Sequence, residues 1–273
     1  MTTDLSARTA SPRAERLVRT RRAESRTEKY VLGTVAVIVV IGVWELLSVL
    51  RVEPAILLPG PGDVIDAFGQ MFTSDTIWQD LGASGAELLY GFALAAVIGI
   101  PAGILLGWYR RVGYLFDPFV NFFYSIPRIA LGPLLIVWLG IGLSSKVTLV
   151  FLMALFPIVI NTTTGIRDVD SQLVRASRCF GGGDLQIFRT IALPGAVPYV
   201  LSGLRLAVGQ ALIGVFVAEL MGAQHGIGLL MNNAGQQFQT ATVFAGLIIF
   251  AIAGFALTTL LRRAEQHFDA WRN

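Results

Sequence analysis

Apolar positions along this chain gather into long runs separated by short polar stretches. Five runs have the length of a membrane-spanning helix: Tyr30 to Leu50, Ser84 to Trp108, Val147 to Thr164, Tyr199 to Ala218 and Ala241 to Leu261. A helix needs about 20 apolar residues to cross the hydrocarbon core, and each run is near that length. A sixth run, Pro118 to Gly140, is interrupted by Arg128 and by prolines.

The longest polar interruption, GIRDVDSQLVRASRCFGGGDLQIFRTIALPGAVPYVLSGLRL, lies between spans. Ser171 to Cys179 reads as a short amphipathic helix, with Leu173, Ala176 and Phe180 on one side and Arg175 and Arg178 more exposed. Gly181, Gly182 and Gly183 turn the chain sharply. Asp184 is placed to cap a second helix, whose Leu185, Ile187, Phe188 and Ile191 form an apolar surface. That helix is expected to end at Leu193-Pro194, with Pro198 beyond. The glycines are no phosphate loop, since no Gly-Lys-Ser or Gly-Lys-Thr follows. The insert is either a loop capping the bundle or a knob that fits a cytosolic partner and transmits its motion.

Composition agrees with a lipid-embedded chain: 54% hydrophobic, 14% charged, mean hydropathy +0.66 over 273 residues. Charge then orders the spans. The first 29 residues carry eight Arg or Lys against four Asp or Glu, and basic flanks stay cytoplasmic. The loop Arg51 to Ala83 has one Arg against Glu53, Asp63, Asp66, Asp75 and Asp80, which suits the outer side. Arg110, Arg111, the insert and Arg262-Arg263 then fall inside. Six spans with both ends cytoplasmic reproduce this alternation, so the interrupted run counts as a span. No signal-peptide cleavage pattern follows the first run, which is read as a retained span. The expected organisation is a basic tail over 1–29, a transmembrane domain over 30–261 with a coupling region at about 165–197, and a cytoplasmic tail over 262–273.

Polar groups inside the spans are few. Glu45, near the outer end of the first span, reads as an interfacial carboxylate or a helix contact. Gly91, Gly99, Gly103 and Gly107 give the second span a small-residue face for close helix approach, and Pro101 is placed to bend it. Arg128 either reaches headgroups from a crossing that begins near Pro127, after an interfacial Pro118 to Ser125, or lines a pathway for an anionic solute. The stretch ELMGAQHGIGLLMNNAGQQFQT after the fifth span suits an outer re-entrant or surface helix. Cys179 is the single cysteine, which excludes an intrachain disulfide. His225 has no HExxH-like neighbour and no carboxylate at helical spacing, and His267 is a solitary tail residue.

The run RASRCFG (Arg175 to Gly181), Phe188 and Leu193-Pro194 resembles the coupling-loop signature of binding-protein-dependent ABC transporter permeases. Its usual form is Glu-Ala-Ala, three residues, Gly, then an apolar-spaced helix closing in Leu-Pro. Here Arg175 stands in place of Glu and Ser177 in place of the second Ala. LPGPGDV (Leu58 to Val64), SIPRIALGPLLIVWLGIG (Ser125 to Gly142), AEL (Ala218 to Leu220) and GIG (Gly226 to Gly228) extend the likeness towards the nitrate, sulfonate and taurine branch.

The resemblance implies an all-α membrane protein with the six-transmembrane-helix fold of type I (MetI-like) ABC importer permeases and a cytoplasmic coupling helix. It implies a homodimer in the inner membrane, two cytosolic ATP-binding subunits and an extracytoplasmic solute-binding protein, with no nucleic acid among the partners. ATP is then used by the partner subunit, and no cofactor is bound by this chain. The residues implied to couple to the ATPase are Arg175, Ala176, Phe180, Gly181, Phe188, Leu193 and Pro194, the glycine making the turn and the aromatics filling partner pockets. The implied cargo is a sulfonate, taurine, nitrate or similar small anion. The rival is an ion-coupled secondary transporter, which needs a polar cluster within the spans, and no paired acidic residues are evident there. An enzyme needs a nucleophile, metal cluster or acid pair, and none has persuasive spacing.

Overall fold

The computed structural model describes residues 12–50 and 57–269. Residues 1–11 of the basic tail, Arg51 and Glu53 of the acidic loop, and residues 270–273 of the C-terminal tail lie outside the described residues, as does the side chain of His267. Among the described residues all regular structure is helical, and the chain divides into two units between Asp63 and Val64.

In the first unit, helix α1 (Pro12–Val49) contains the apolar stretch Val31–Val49, none of which is buried. The unit ends in the first residues of α2 (Pro61–Thr73), the rest of which belongs to the second unit. LPGPGDV is the start signal of that helix. Pro61 occupies the first helical position, where no backbone N–H is needed. The Gly60 N–H donates to the Asp63 carboxylate at 2.9 Å, satisfying a donor just ahead of the helix. The Trp44 indole donates to the Pro59 carbonyl at 2.9 Å. A Cβ at Gly60 would meet Ser48 Oγ at 3.1 Å and Glu45 Oε2 at 3.6 Å, so Glu45, although exposed, stands beside this turn.

In the second unit, α6 (Leu143–Arg167) packs along both α3 (Ile77–Trp108) and α9 (Leu193–Leu220). Ala95, Val150, Ala154, Ile158, Ala207, Ala211 and Val215 form the fully buried seam. Small residues permit this approach. A Cβ at Gly91 would lie 2.6 Å from Val150 Cβ, one at Gly103 2.6 Å from Thr162 Cβ, and one at Gly107 2.6 Å from Ile166 Cβ. The glycine face of α3 therefore turns onto α6, as close packing between membrane helices requires.

The interrupted run Pro118 to Gly140 is sharply bent. Helix α4 (Arg110–Ser125) begins well before Pro118 and carries that proline inside it. The segment Arg128–Leu139, a 3-10 turn (Arg128–Leu131) leading into α5 (Gly132–Leu139), is bent from α4 by 83°. Pro127 forces the break, because the residue before a proline is driven from the helical region, and Ile126 is extended at φ −68°, ψ 135°. At 1.5 Å per residue Arg128–Leu139 reaches only about 18 Å, short of the roughly 30 Å core. The bend thus falls where a crossing was expected to begin, near Pro127, and the bent pair counts as one sixth candidate span, broken or re-entrant, beside the five long apolar helices.

The fifth span also differs from expectation. Leu193-Pro194 does not end a helix. Residues Asp184–Leu220 run on as α8 (Asp184–Ile187), a π turn (Phe188–Ala192) and α9. Proline is tolerated in a first turn, and the wide π turn ahead of Pro194 makes room for its ring. Helix α7 (Ser171–Cys179) precedes this element, and α10 (Ile227–Gln236) and α11 (Thr240–Asp269) follow it. Helix α11 continues through Arg262 and Arg263, which were expected in a tail.

Candidate coupling hairpin and the polar cap on α10

Helix α7 is capped by Asp170, whose carboxylate accepts the Gln172 N–H at 2.7 Å. It ends at Gly181, which adopts φ +81°, a left-handed conformation that glycine adopts without a Cβ penalty. The Gly181 and Gly182 N–H groups bond back to the carbonyls of Arg178 (3.0 Å) and Ser177 (2.8 Å), closing the helix. Asp184 is not the cap of the next helix; Gly183 holds that place. The Asp184 carboxylate instead accepts from Arg178 at 2.6 Å across the glycine turn, latching α7 to α8. Both partners are exposed, so the pair orients the hairpin more than it stabilises it.

The predicted coupling residues divide into two sets. Phe180 is 92% exposed at the tip. Arg175, Ala176, Leu193 and Pro194 are exposed too, and Arg175 donates to Ser171 Oγ at 3.1 Å. Phe188 faces the other way, its ring 5.0 Å edge-on from Trp108 and packed with Ile166, Ala192 and Ala196. Of the two aromatics expected to fill partner pockets, the structure presents Phe180 and turns Phe188 inward. The apolar surface expected of the second helix is split likewise: Ile187 is buried and Leu185 exposed. A cavity of about 710 Å³ opens beside the hairpin, walled by Trp108, Arg110, Tyr114, Arg178 and Ile187 among others.

Arg128 stands at the bend between α4 and α5. Its guanidinium lies over Tyr124 (5.0 Å) and Phe156 (5.7 Å) and donates to the Met153 carbonyl at 3.3 Å. The guanidinium is half-buried among these groups.

The far end of α9 holds a buried polar group that the sequence reading passed over. Glu219 is fully buried. One of its oxygens accepts the Ser84 hydroxyl and the other accepts the Gly228 N–H at 2.5 Å. Ser84 Oγ accepts the Ile227 N–H at 3.0 Å, and Asp80 accepts the Gly226 N–H at 2.9 Å. The opening N–H groups of α10, which no turn of its own helix can satisfy, are thus capped by side chains of α3 and α9. Oxygen acceptors at this place also suit the positive end of the helix dipole. Next to this cap Lys146 donates to buried Glu87 at 2.6 Å.

One expectation is corrected here: Asp80 belongs to buried helix, not to a loop. His225 has no carboxylate at helical spacing, but the fold brings its Nδ1 to 3.5 Å from Asp80. Buried acidic residues do lie within the long helices, at Glu87 and Glu219. Arg205 of α9 also pairs with Glu265 of α11. The signal for the cap was present: Asp80, Ser84 and Glu87 stand at i, i+4 and i+7, one helical face, once α3 is seen to start at Ile77.

Comparison with known proteins agrees with this architecture. Residues 99–272 match the model of the family described as binding-protein-dependent transport system inner membrane component. The putative aliphatic sulfonates transport permease protein SsuC of Bacillus subtilis is 37% identical over 86% of this chain and 85% of its own. The taurine transport system permease protein TauC of Escherichia coli is 32% identical over 90% of this chain and 91% of its own. Among solved structures, a chain of the MetNI methionine ABC transporter in an inward-facing conformation superposes with a TM-score of 0.59, covering 71% of this chain and 94% of that one at 22% identity, a likeness of fold. The chain belongs to the binding-protein-dependent transport system inner membrane components, the permease subunits of ABC importers.

Proposed function

We propose that this permease carries a small anion of the sulfonate or taurine kind inward, as a homodimer joined to two cytosolic ATP-binding subunits and served by an extracytoplasmic solute-binding protein. Both termini and the α7–α8 hairpin face the cytosol in this reading, as the placement of Arg110, Arg111, Arg262 and Arg263 favours. ATP is bound by the partner, because the chain carries no Gly-Lys-Ser or Gly-Lys-Thr phosphate loop, and the chain itself binds no cofactor.

The observation that carries the reading is the hairpin. Phe180 is held out on a closed, glycine-turned helix end whose return strand of helix runs on into α9. A partner that grips Phe180, Arg175 and Ala176 can displace a membrane-spanning helix, with Phe188, Leu193 and Pro194 as the joint and Gly181 as the turn. Arg128 remains a candidate for the pathway wall. The cargo assignment follows the sulfonate and taurine permeases named above.

Uptake of labelled taurine, an alkanesulfonate and nitrate into proteoliposomes holding the chain, its ATPase and its binding protein tests this. ATP-dependent uptake of one of these anions supports the proposal. Uptake that follows an ion gradient and ignores the ATPase overturns it.

A further inference from the structure

We propose that Glu219, with Ser84 and Asp80, is the positioning group that makes α10 and the first turns of α3 follow α9 through the transport cycle. The inference rests on the importer reading above. At one end, α9 is helix-continuous with the hairpin, and buried Ile187 and half-buried Phe188 seat that joint. Its 28 residues span about 42 Å, so a displacement delivered there arrives at Glu219 on the far side of the bundle.

What Glu219 does with that displacement follows from its bonds. Both carboxylate oxygens are occupied, one by Ser84 of α3 and one by the Gly228 N–H of α10. Ser84 passes the link on by accepting the Ile227 N–H, and Asp80 holds the Gly226 N–H. The residue at the N-cap of α10 is Gly226, which has no side chain with which to cap its own helix. A Cβ at Gly226 or Gly228 would run into the Glu219 carboxylate, so the GIG run is shaped to the AEL run it touches. Asp80, Ser84 and Glu219 are all buried, Glu219 completely. Pulling α10 away would strand a buried carboxylate, which is far more costly than never having made the contact. The ends of α3, α9 and α10 are therefore one rigid body.

That body borders a groove of about 370 Å³, walled by Phe216 and Leu220 of α9 and by Met231, Asn232 and Gln236 of α10, with Val243 of α11 opposite. Its width is set by how α10 sits on α9.

The test uses the assembled importer in proteoliposomes with Glu219→Ala, Glu219→Gln and Ser84→Ala. Spin labels at exposed Gln79 (α3) and Gln236 (α10), in a Cys179→Ser background, report the clasp directly. In the wild type the label distance is narrow and the same with and without trapped ATP. In Glu219→Ala it broadens, and solute moved per ATP falls about tenfold, within the usual range of a coupling free energy, while basal hydrolysis stays within about twofold. Glu219→Gln keeps the volume and one acceptor and falls between. A narrow distance with wild-type coupling in Glu219→Ala and Ser84→Ala overturns the proposal. So does an equal loss of folded protein, basal hydrolysis and uptake in all three variants, the mark of a merely structural role. If wild-type uptake ignores ATP, the importer reading has failed instead, and the label distances still decide whether the clasp holds.

Discussion

Glu219 accepts the backbone N–H of Gly228 at 2.5 Å, joining the end of one membrane-spanning helix to the start of the next helix along the chain. The contact fixes what can stand at the two glycines. A Cβ at residue 228 would lie 2.7 Å from Glu219 Oε2 and 3.1 Å from the Phe216 carbonyl, and Gly226 holds φ +144°. Gly226→Ala and Gly228→Ala are each expected to destabilise the protein by about 1–3 kcal/mol. Thermal unfolding in detergent measures this, and an unchanged midpoint for both would contradict the described cap.

Glycines on α3 divide by what they face. A Cβ at Gly91 would meet Val150 Cβ at 2.6 Å, whereas one at Gly85 meets nothing within 4 Å. Gly85→Ala is expected to stabilise the helix by about 0.5–1 kcal/mol, the usual gain from a less flexible unfolded chain. Gly91→Ala should act in the opposite direction by forcing α3 from α6. The two midpoints, measured side by side, should move apart.

The hairpin aromatics make a second pair. Phe188→Ala removes the packing against Trp108 and is expected to cost about 1–3 kcal/mol, less than a fully buried Phe. Phe180→Ala removes a ring that is 92% exposed and should leave stability within about 0.5 kcal/mol. Coupling behaves the other way for Phe180: solute-stimulated ATP hydrolysis falls although the fold is intact. Equal destabilisation by the two changes would remove the basis for dividing them.

Hydropathy alone revealed α3, α6, α9 and α11 as crossings, because lipid demands long apolar runs and little else resembles them. It misjudged their ends. Asp80 and Ser84 were assigned to a loop or a span boundary because their polarity is matched only by groups arriving from α9 and α10, a tertiary fact that no local window contains. Pro127 and Pro194 show the same limit from the other side. Each is a proline beside an apolar run, yet one marks an 83° bend and the other sits in the first turn of a continuing helix. The difference lies in the residues ahead: Ile126 is extended, and Phe188–Ala192 widen into a π turn. The hairpin was readable from its glycines and Phe180, but the inward turn of Phe188 depends on Trp108, with helices α4 to α8 between them in sequence.

Cys179 offers a direct probe of the hairpin surface, since it is exposed and adjoins Phe180. A photo-crosslinker placed on this thiol in the assembled transporter should attach to the ATP-binding subunit. Attachment to the binding protein instead, with none to the ATPase, would reverse the proposed orientation.

The most direct measurement of the central claim is ATP hydrolysis and solute uptake followed together in proteoliposomes, for the wild type and for Gly181→Pro. Gly181 holds φ +81°, which proline, fixed near about −65°, cannot adopt. The account predicts solute-stimulated hydrolysis with matching uptake in the wild type, and loss of both in a Gly181→Pro protein that still inserts. Uptake driven by an ion gradient, indifferent to the ATPase and untouched by Gly181→Pro, would contradict it.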